Sequence, residues 1–311
     1  MNQADKVLII KLGWSETLDA EISRTSSLGD TLRTTVVLHE LQYRHVTWLV
    51  DEKAFPLIEN NPFIHRPLIY DLTSVLQLQQ ERFDTVINFE KVPGLCALAD
   101  NIKARRHMGF GFNSVRGEAV SNDGCERVFS LCRDRDEKRV HRIPWQKMLI
   151  EMVGGTWNNQ EYILGYKPQA KETFDFGFNH AVGKKWPTKN WPQNKWEHLE
   201  RLLTSKGFTV SWQKGFDDLR EYMEWIQSCR ALVTCDSLGF HLALALRKKT
   251  LVMYGPTNSN ETYMYGRGIG LQPTDFACAP CLSPNCTNEV FCMDVLSPEK
   301  VYAECLRLLE L

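Results

Sequence analysis

The sequence predicts an α/β protein of two domains, each built on a mostly parallel sheet. Short apolar runs rich in β-branched residues, such as 6–12 and 45–50, alternate with amphipathic helical patterns, which is typical of parallel sheets with helices on both faces. A chain of 311 residues is large for one hydrophobic core and natural for two. We therefore expect one domain over residues 1–167 and a second over residues 168–311.

The individual elements follow from these runs and from the helical patterns between them. The predicted strands cover residues 6–12, 45–50, 68–70, 83–89, 105–111, 175–180, 208–212, 231–233 and 250–254. The clearest predicted helices cover residues 31–41, 145–153, 194–203, 217–229 and 297–309.

The composition limits the possible functions. Hydrophobic residues make up 43% and charged residues 24% of the chain, as in a soluble globular protein. A net charge of −1 gives no reason to expect a nucleic-acid partner, which would need a strongly basic face. No apolar run approaches the roughly 20 residues of a transmembrane segment, and the first residues lack the layout of a signal peptide. We expect a cytoplasmic chain with a basic loop that could approach an anionic glycolipid at the inner membrane surface.

The stretch from Ala231 to Leu246 predicts a ligand site in the second domain. It reads as a buried strand, a polar turn at Asp236-Ser237 and an apolar helix that contains Gly239 and His241. Free backbone N–H groups at such a helix start suit a phosphate. The next strand ends in the turn Gly255-Pro256-Thr257. Parallel strands bind ligands at their carboxyl ends, so we expect the two turns to contribute to one site.

A loop with three lysines lies before the helix at residues 194–203. It contains Lys184, Lys185 and Lys189 together with two Trp-Pro pairs, Trp186-Pro187 and Trp191-Pro192. At the carboxyl end of a strand, such a loop could hold lysine ammonium groups beside a diphosphate. The alternative is a surface loop whose tryptophans cover the core.

In the first domain the candidate is Asp30, which follows the first strand in the turn Ser27-Leu28-Gly29. A carboxylate here would face a ligand at the start of a helix, or it would only stabilise the helix dipole. Dinucleotide-binding and P-loop glycine patterns are absent from the sequence, as is the serine hydrolase turn.

Four of the ten cysteines form a local cluster near the end of the sequence. Cys278 and Cys281 have the Cys-x2-Cys spacing of half a metal site, and Cys286 and Cys292 could complete a tetrahedron. A structural metal, zinc first and iron second, is one reading; disulfides and free thiols are the alternatives. The six scattered cysteines indicate a reducing compartment.

Taken together, these residues resemble glycosyltransferase family 9, the heptosyltransferases, over nearly the whole chain. The four motifs that carry the resemblance are, in order, Ser27-Leu28-Gly29-Asp30, Lys189-Asn190-Trp191-Pro192, Asp236-Ser237-Leu238-Gly239-Phe240-His241-Leu242 and Tyr254-Gly255-Pro256-Thr257.

The resemblance implies a GT-B fold, in which two Rossmann-like domains with parallel sheets face an interdomain cleft. It implies an inverting transfer of a heptose-like sugar, from ADP-heptose, to a hydroxyl of a lipopolysaccharide-core or other glycan acceptor, with no metal in the cleft. Asp30 would be the general base, and Lys189 would balance the diphosphate leaving group. The donor would be held by Lys185, Asp236, Ser237, Gly239, His241, Gly255, Pro256 and Thr257. The final helix, 297–309, would pack back toward the N-terminal domain.

Two departures from the family pattern and two rival functions stay open at this point. Residues 14–25 intervene between the first strand and the Asp30 turn, so Asp19 or Glu21 could compete for the role of base. Leu238 replaces the usual glycine after Asp236-Ser237. The rivals are a GT-B-shaped nucleotide-sugar epimerase or hydrolase, and a non-catalytic interaction protein in which the cysteine cluster is the working part.

Overall fold

The computed structural model describes residues 4–14, 26–215, 217–273 and 276–311. The competing base candidates Asp19 and Glu21 lie outside the described residues. The chain divides into two compact units, unit 1 with residues 1–135 and 145–166, and unit 2 with residues 136–144 and 167–311. The sequence placed a single boundary after residue 167, whereas residues 136–144 belong to the second unit.

Unit 1 contains a six-stranded sheet in the order β3-β2-β1-β4-β5-β6. Its strands are β1 (Lys6–Ile10), β2 (His45–Val50), β3 (Arg66–Ile69), β4 (Arg82–Asn88), β5 (Lys103–Asn113) and β6 (Glu118–Ser121). Its helices are α1 (Leu28–Thr34), α2 (Phe55–Ile58), α3 (Leu72–Gln80), α4 (Pro93–Asn101), α5 (Glu126–Arg133) and α7 (Trp145–Met152), with 3-10 turns at Thr35–Leu41 and Glu52–Ala54. Between α5 and α7 lies α6 (Arg135–Val140), whose residues from 136 onward belong to unit 2.

The centre of this sheet is the apolar strand β1, in which the residues from Val7 to Ile10 are at most 2% exposed. All pairs of neighbouring strands are parallel except β5 and β6. Strand β6 was not predicted, because its four residues, Glu-Ala-Val-Ser, carry no apolar run. The strand order is that of a Rossmann sheet.

The helix after β1 is shorter than predicted. The sequence predicted one helix over residues 31–41, but α1 ends at Thr34 and a 3-10 helix continues to Leu41. The hydroxyls of Thr34 and Thr35 donate to the carbonyls of Asp30 and Leu32, and such back-bonding bends helices. Thr35 Oγ1 also accepts from the backbone N–H of Ile163, which holds the change of geometry in place.

Unit 2 contains a five-stranded sheet in the order β11-β10-β9-β7-β8, with all described pairs parallel. Its strands are β7 (Phe174–Asn179), β8 (Val210–Trp212), β9 (Cys229–Cys235), β10 (Lys249–Met253) and β11 (Gly268–Leu271). Its helices are α8 (Gln193–Thr204), α9 (Leu219–Gln227), α10 (Leu238–Ala245) and α11 (Pro298–Glu310), with 3-10 turns at Pro187–Lys189, Ser259–Glu261 and Cys292–Val295.

The final helix α11 belongs to the core of unit 2. Ser297 caps it by accepting from the backbone N–H of Lys300. Its buried residues Val301, Cys305 and Leu308 join the core cluster formed with β7, β9 and α8. The buried face of α11 thus packs within its own unit.

Hydrogen bonds, most of them from the Asn258 side chain, hold residues 136–144 in unit 2. The Asn258 amide nitrogen donates toward the carbonyls of Lys138, Arg139 and His141, at 3.1, 3.3 and 2.7 Å. Arg139 Nη2 also donates to the Ala277 carbonyl at 2.8 Å. The acceptors of these hydrogen bonds are backbone oxygens. The side-chain pattern of residues 136–144 therefore did not predict that this segment belongs to unit 2.

Among the residues that the structure describes, none of the helices has the length and apolar character needed to cross a membrane.

Candidate functional site

Both sheets place polar residues where the strand order reverses, which is the point at which open parallel sheets bind ligands. In unit 1 this point lies between β1 and β4, so Lys11, Glu90 and Lys91 follow the two strands. In unit 2 it lies between β7 and β9, where Asp236 follows β9 directly. Each unit therefore carries its own candidate cluster.

Asp30 is the centre of the unit 1 cluster. It lies in the first turn of α1 and is 7% exposed. Its Oδ2 accepts from Lys11 Nζ at 2.6 Å, and its Oδ1 accepts from Arg33 Nη2 at 2.7 Å. Each carboxylate oxygen therefore has a cation, which is more than the helix-dipole role that the sequence left open.

These ion pairs decide the charge of both partners. Burial alone would raise the pKa of Asp30, but the Lys11 ammonium and then the Arg33 guanidinium hold that pKa well below its usual range. Burial would likewise lower the pKa of Lys11, and the Asp30 and Glu90 carboxylates more than reverse this effect, so it is raised. Both groups are therefore ionised, and Asp30 is a weak base in this arrangement.

A second carboxylate, Glu90, completes the unit 1 cluster. Its Oε1 accepts from the backbone N–H groups of Leu12 and Gly13, at 2.8 and 2.7 Å, and lies 3.4 Å from Lys11 Nζ. Gly13 has a positive φ of 86°, and a Cβ there would lie 2.7 Å from the Ser27 carbonyl oxygen. Glycine thus allows the chain after β1 to turn its amides toward Glu90.

A small cavity lies beside this cluster. It has a volume of about 20 Å³, enough for about one water molecule. Polar and aromatic side chains share its wall, and its lining includes Lys11, Asp30, Lys91, Phe110 and Trp145. Lys91 Nζ lies 5.2 Å from the centre of the Phe110 ring. The wall thus combines charges with flat apolar surfaces beside Asp30.

In unit 2 the structure brings Lys189 and Asp236 together. Lys189 Nζ lies 2.9 Å from Asp236 Oδ2, and each side chain is 15% exposed. The ammonium also lies 5.3 Å from the centre of the Trp186 ring. Burial would raise the pKa of Asp236, but Lys189 and then His241 more than offset it and lower this pKa to about 2. The pair is thus a carboxylate and an ammonium at the end of β9.

Ser237 is held by a buried hydrogen-bond network at the start of α10. Asn179 Nδ2 donates to Thr234 Oγ1 at 2.7 Å and to Ser237 Oγ at 2.9 Å. The Tyr222 hydroxyl donates to Asn179 Oδ1 at 2.6 Å, which fixes the orientation of the amide. Because the Ser237 oxygen accepts from Asn179, its own proton can point away toward a ligand.

Gly239 and His241 lie on the buried side of α10. A Cβ on Gly239 would lie 2.3 Å from the Tyr222 hydroxyl and 2.4 Å from Asn179 Nδ2. Gly239 is thus required by packing against the network that holds Ser237. His241 is 7% exposed and lies close enough to Asp236 to lower the pKa of that carboxyl.

The Gly255-Pro256-Thr257 turn follows β10. A Cβ on Gly255 would lie 2.8 Å from Met293 Sδ. The Pro256 carbonyl accepts from the Leu282 N–H at 2.7 Å, and the side chain of Thr257 helps to lower the pKa of Asp236. The turn therefore places Thr257 near the Asp236 carboxyl.

Lys185 and the cysteine-containing segment 278–292 are the other predicted features near the Lys189–Asp236 pair. Lys185 is partly buried in the same loop as Lys189, four residues before it. Thr188, in the same loop, donates from its hydroxyl to the Ser283 carbonyl at 2.8 Å. The cysteine-containing segment 278–292 is thereby joined both to this loop and to the Gly255 turn.

All ten cysteines are free thiols in the structure, so the disulfide reading is wrong. Burial raises the pKa of Cys292 to about 11, and the nearby thiols of Cys281, Cys286 and Cys278 contribute to this rise. The Asn288 amide donates to Cys278 Sγ at 3.2 Å. The four thiols are thus neighbours, but within the described ranges no three His, Cys, Asp or Glu side chains surround one point as metal ligands do.

Sequence reasoning missed the partners of the predicted residues. These partners are Lys11, Arg33 and Glu90 in unit 1, and Asn179 and Tyr222 in unit 2. The polar ends of the apolar runs, at Lys11, Glu90 and Asn179, were an available signal, because these ends meet at one edge of a parallel sheet.

Comparisons with known proteins agree with the predicted resemblance. The model of glycosyltransferase family 9 (heptosyltransferase) matches residues 214–291. Lipopolysaccharide heptosyltransferase 1 of Pseudomonas aeruginosa is 32% identical over 161 residues, which cover 45% of this chain and 44% of that protein. The matched part thus spans less than half the length of this relative.

The fold agrees over a greater length with solved structures. The glycosyl transferase family 9 protein of Veillonella parvula has a TM-score of 0.71 and 20% identity, and the match covers 100% of this chain and 99% of that one. The E. coli heptosyltransferase WaaC with ADP has a TM-score of 0.67 and 16% identity, with coverage of 97% and 99%. The predicted resemblance to glycosyltransferase family 9 and the predicted GT-B class of fold, with two Rossmann-like units, are therefore confirmed.

Proposed function

We propose that the chain is an inverting heptosyltransferase. It would move a heptose-like sugar from a nucleotide diphosphate sugar, with ADP-heptose as donor, to a hydroxyl of a lipopolysaccharide-core or other glycan acceptor. The observation that carries this proposal is the partly buried Lys189–Asp236 pair, 2.9 Å apart beside Ser237 at the switch point of unit 2. A similar chain, the E. coli heptosyltransferase WaaC, has a solved structure with ADP.

The chemistry of unit 2 suits a diphosphate leaving group. Lys189 supplies a positive charge, and the Ser237 hydroxyl and the first amides of α10 supply hydrogen-bond donors. An ammonium group that already has Asp236 as partner can balance the negative charge that develops on the diphosphate as the sugar leaves. Such pre-organised charges act mainly on the transition state.

Unit 1 would supply the base. Asp30 is an ionised carboxylate in the cluster with Lys11 and Arg33, beside a cavity that Trp145 and Phe110 help to line. Aromatic faces next to charged groups suit a sugar ring, which has both apolar and hydroxyl surfaces. We propose that Asp30 accepts the proton of the attacking acceptor hydroxyl.

The direct test is a transfer assay with ADP-heptose and a heptose-free lipopolysaccharide-core acceptor. Release of ADP and gain of one heptose by the acceptor, detected by mass spectrometry, would support the proposal. Release of free heptose without an acceptor would instead favour the hydrolase reading. An unchanged donor and acceptor, with wild-type enzyme at high concentration, would contradict both.

We expect ADP to raise the thermal unfolding temperature more than UDP, GDP or CMP does. A ligand that binds only the folded state stabilises it by about 2.7 kcal/mol at 100 times its Kd. Differential scanning fluorimetry at equal nucleotide concentrations would measure this preference, and Ser237→Ala should reduce the shift. An equal shift with all four nucleotides would contradict an adenine-linked donor.

We propose separately that the segment 278–292 holds a structural metal, zinc or iron. Four free thiols that influence one another electrostatically provide the ligand chemistry, although they must converge to form a tetrahedral site. Such a metal would stabilise a segment that is bonded to the Gly255 turn through Leu282. It would have no role in the reaction, because four thiolates leave no open coordination position.

We therefore expect about one zinc or iron atom per chain in protein purified without chelators. Elemental analysis by mass spectrometry would measure it, and Cys281→Ser should remove it and lower the unfolding temperature. Cys132→Ser, a partly buried thiol outside the cluster, is the matched control. Metal-free protein with four thiols that react rapidly with a thiol reagent would rule out the site.

A further inference from the structure

We propose that Glu90 is a positioning residue that sets the basicity of Asp30 through the shared cation Lys11. The inference rests on the proposed function of Asp30 as the base. Lys11 Nζ lies 2.6 Å from Asp30 Oδ2 and 3.4 Å from Glu90 Oε1. The three side chains are 2%, 8% and 0% exposed, in the order Lys11, Asp30, Glu90. One buried ammonium thus stands between two buried carboxylates.

The two carboxylates differ in how they are held. Glu90 accepts from two backbone amides at the end of β1, Leu12 and Gly13, in addition to facing Lys11. Hydrogen bonds of this kind favour the charged form of a carboxylate and fix its position. Asp30 lies on α1 beside the cavity. Asp30 is therefore placed to change its protonation, and Glu90 to keep its charge.

Proton transfer to Asp30 removes the negative charge that balances Lys11, and Glu90 supplies a second negative charge beside the same ammonium. In the transfer step the acceptor O–H bond breaks and its proton goes to a carboxylate oxygen of Asp30. The hydroxyl oxygen bonds to the anomeric carbon, and the diphosphate leaves with the electron pair of the broken C–O bond. Asp30 then no longer balances Lys11. A buried ammonium without a counterion is strongly unfavourable, but the Glu90 carboxylate remains beside it.

The other charges around Asp30 make this compensation necessary. Arg33 on α1 pairs with the second oxygen of Asp30, and Lys91 after β4 also lowers the pKa of this carboxyl. Both cations oppose protonation of Asp30, as Lys11 does. Glu90 is the carboxylate that the described part of the cluster sets against them. It therefore makes Asp30 a stronger base than three cations alone would allow.

Glu90→Gln is the informative change, because the amide keeps the size of the side chain and an oxygen for the two backbone amides. Without the negative charge, protonation of Asp30 leaves Lys11 unbalanced. We expect kcat to fall about 10- to 100-fold, with the KM for the donor unchanged. A KM that rises with no change in kcat would show that Glu90 only shapes the site and would overturn the inference.

A second measurement is independent of sugar transfer. Asp30→Asn imitates the protonated base, so its effect on the unfolding temperature reports how well Lys11 is balanced without Asp30. We expect a small loss in the wild-type background. In the Glu90→Gln background we expect a loss larger by about 5 °C or more. Equal losses in the two backgrounds would overturn the inference.

Two further variants allow the test to be interpreted even if the double variant Asp30→Asn, Glu90→Gln does not fold. Adding Lys11→Met to Asp30→Asn and Glu90→Gln removes the unbalanced cation and should restore folding and most of the unfolding temperature. Failure of this rescue would show that the double variant is damaged for another reason and would overturn the inference. The matched control is Glu81→Gln, which removes a partly exposed carboxylate paired with Arg66 and should not couple to Asp30→Asn.

The two readouts separate this inference from the proposed function. If the effects of Asp30→Asn and Glu90→Gln on the unfolding temperature are coupled but the protein transfers no sugar, Glu90 shares the charge of Lys11 and the transferase proposal is refuted. Sugar transfer by a protein whose unfolding temperatures are additive would keep the transferase and refute the role of Glu90.

Discussion

Asp30→Asn should reduce kcat by about 10²–10⁴-fold, the usual contribution of a placed general base. The amide cannot accept the acceptor proton, whereas the fold should survive because Lys11 still faces Glu90 at 3.4 Å. The rate of ADP release, with donor and acceptor both present, is the measurement. The shift in unfolding temperature caused by ADP should stay as in the wild type, since the proposed donor residues lie in unit 2.

The matched control for this change is Asp84→Asn. Asp84 lies near the start of β4, away from the carboxyl end of that strand. There it accepts from the Lys6 backbone N–H and pairs with Arg105. A variant Asp30→Asn with wild-type kcat would contradict the assigned base.

The pH dependence of the reaction is a further prediction. Because the Lys11 and Arg33 cations hold the pKa of Asp30 well below its usual range, protonation of Asp30 should cause no loss of activity between pH 7 and about pH 5.

Lys189→Ala should reduce kcat/KM by about 10²–10³-fold, the cost of losing one pre-organised group that stabilises transition-state charge. It should also destabilise unit 2, because it leaves the Asp236 carboxylate, which is only 15% exposed, without its ammonium. Removing one partner of a buried ion pair typically costs about 3–5 kcal/mol. Steady-state kinetics and urea unfolding would measure the two effects. Lys184→Ala, in the exposed part of the same loop, is the matched control.

The double variant Lys189→Ala, Asp236→Asn separates the two effects. It should recover stability, since no buried charge remains, but it should not recover kcat/KM. In the wild type, ion pairing lowers the pKa of Asp236 to about 2. The stability from this pair is therefore fully present above about pH 4 and is lost as the pH falls toward 2. Unchanged activity in Lys189→Ala would refute the role at the leaving group.

The position of a predicted site residue at the end of a central strand could be read from the sequence. Asp236 directly follows the apolar run that forms the central strand β9, whereas Asp30 follows the run that forms the central strand β1 only after the intervening segment 14–25. The carboxyl ends of central strands lie at the switch points, so a polar residue just after the run marks the candidate site. Lys189 followed from a loop that returns to the same edge of the unit 2 sheet.

The sequence could not show which groups control these residues. Glu90 and Leu12 are 78 positions apart and meet only because β1 and β4 pair. Asn179 and Ser237 are 58 positions apart and meet through the pairing of β7 and β9. Strand order follows from the tertiary fold, whereas periodicity reports one segment at a time. The charge balance of Asp30 and the orientation of Ser237 could therefore not be predicted from the sequence and became visible only in the three-dimensional structure.

The anchoring of residues 136–144 by Asn258 has a consequence for experiments that recombine related chains. Asn258 follows directly after the Gly255-Pro256-Thr257 turn, and the carbonyls that it holds come from the other half of the sequence. A chimera joined at a single crossover near residue 167 would combine this asparagine with a foreign peptide. A chimera that is meant to exchange donor preference between homologues should therefore replace both segments of unit 2, 136–144 and 167–311, together.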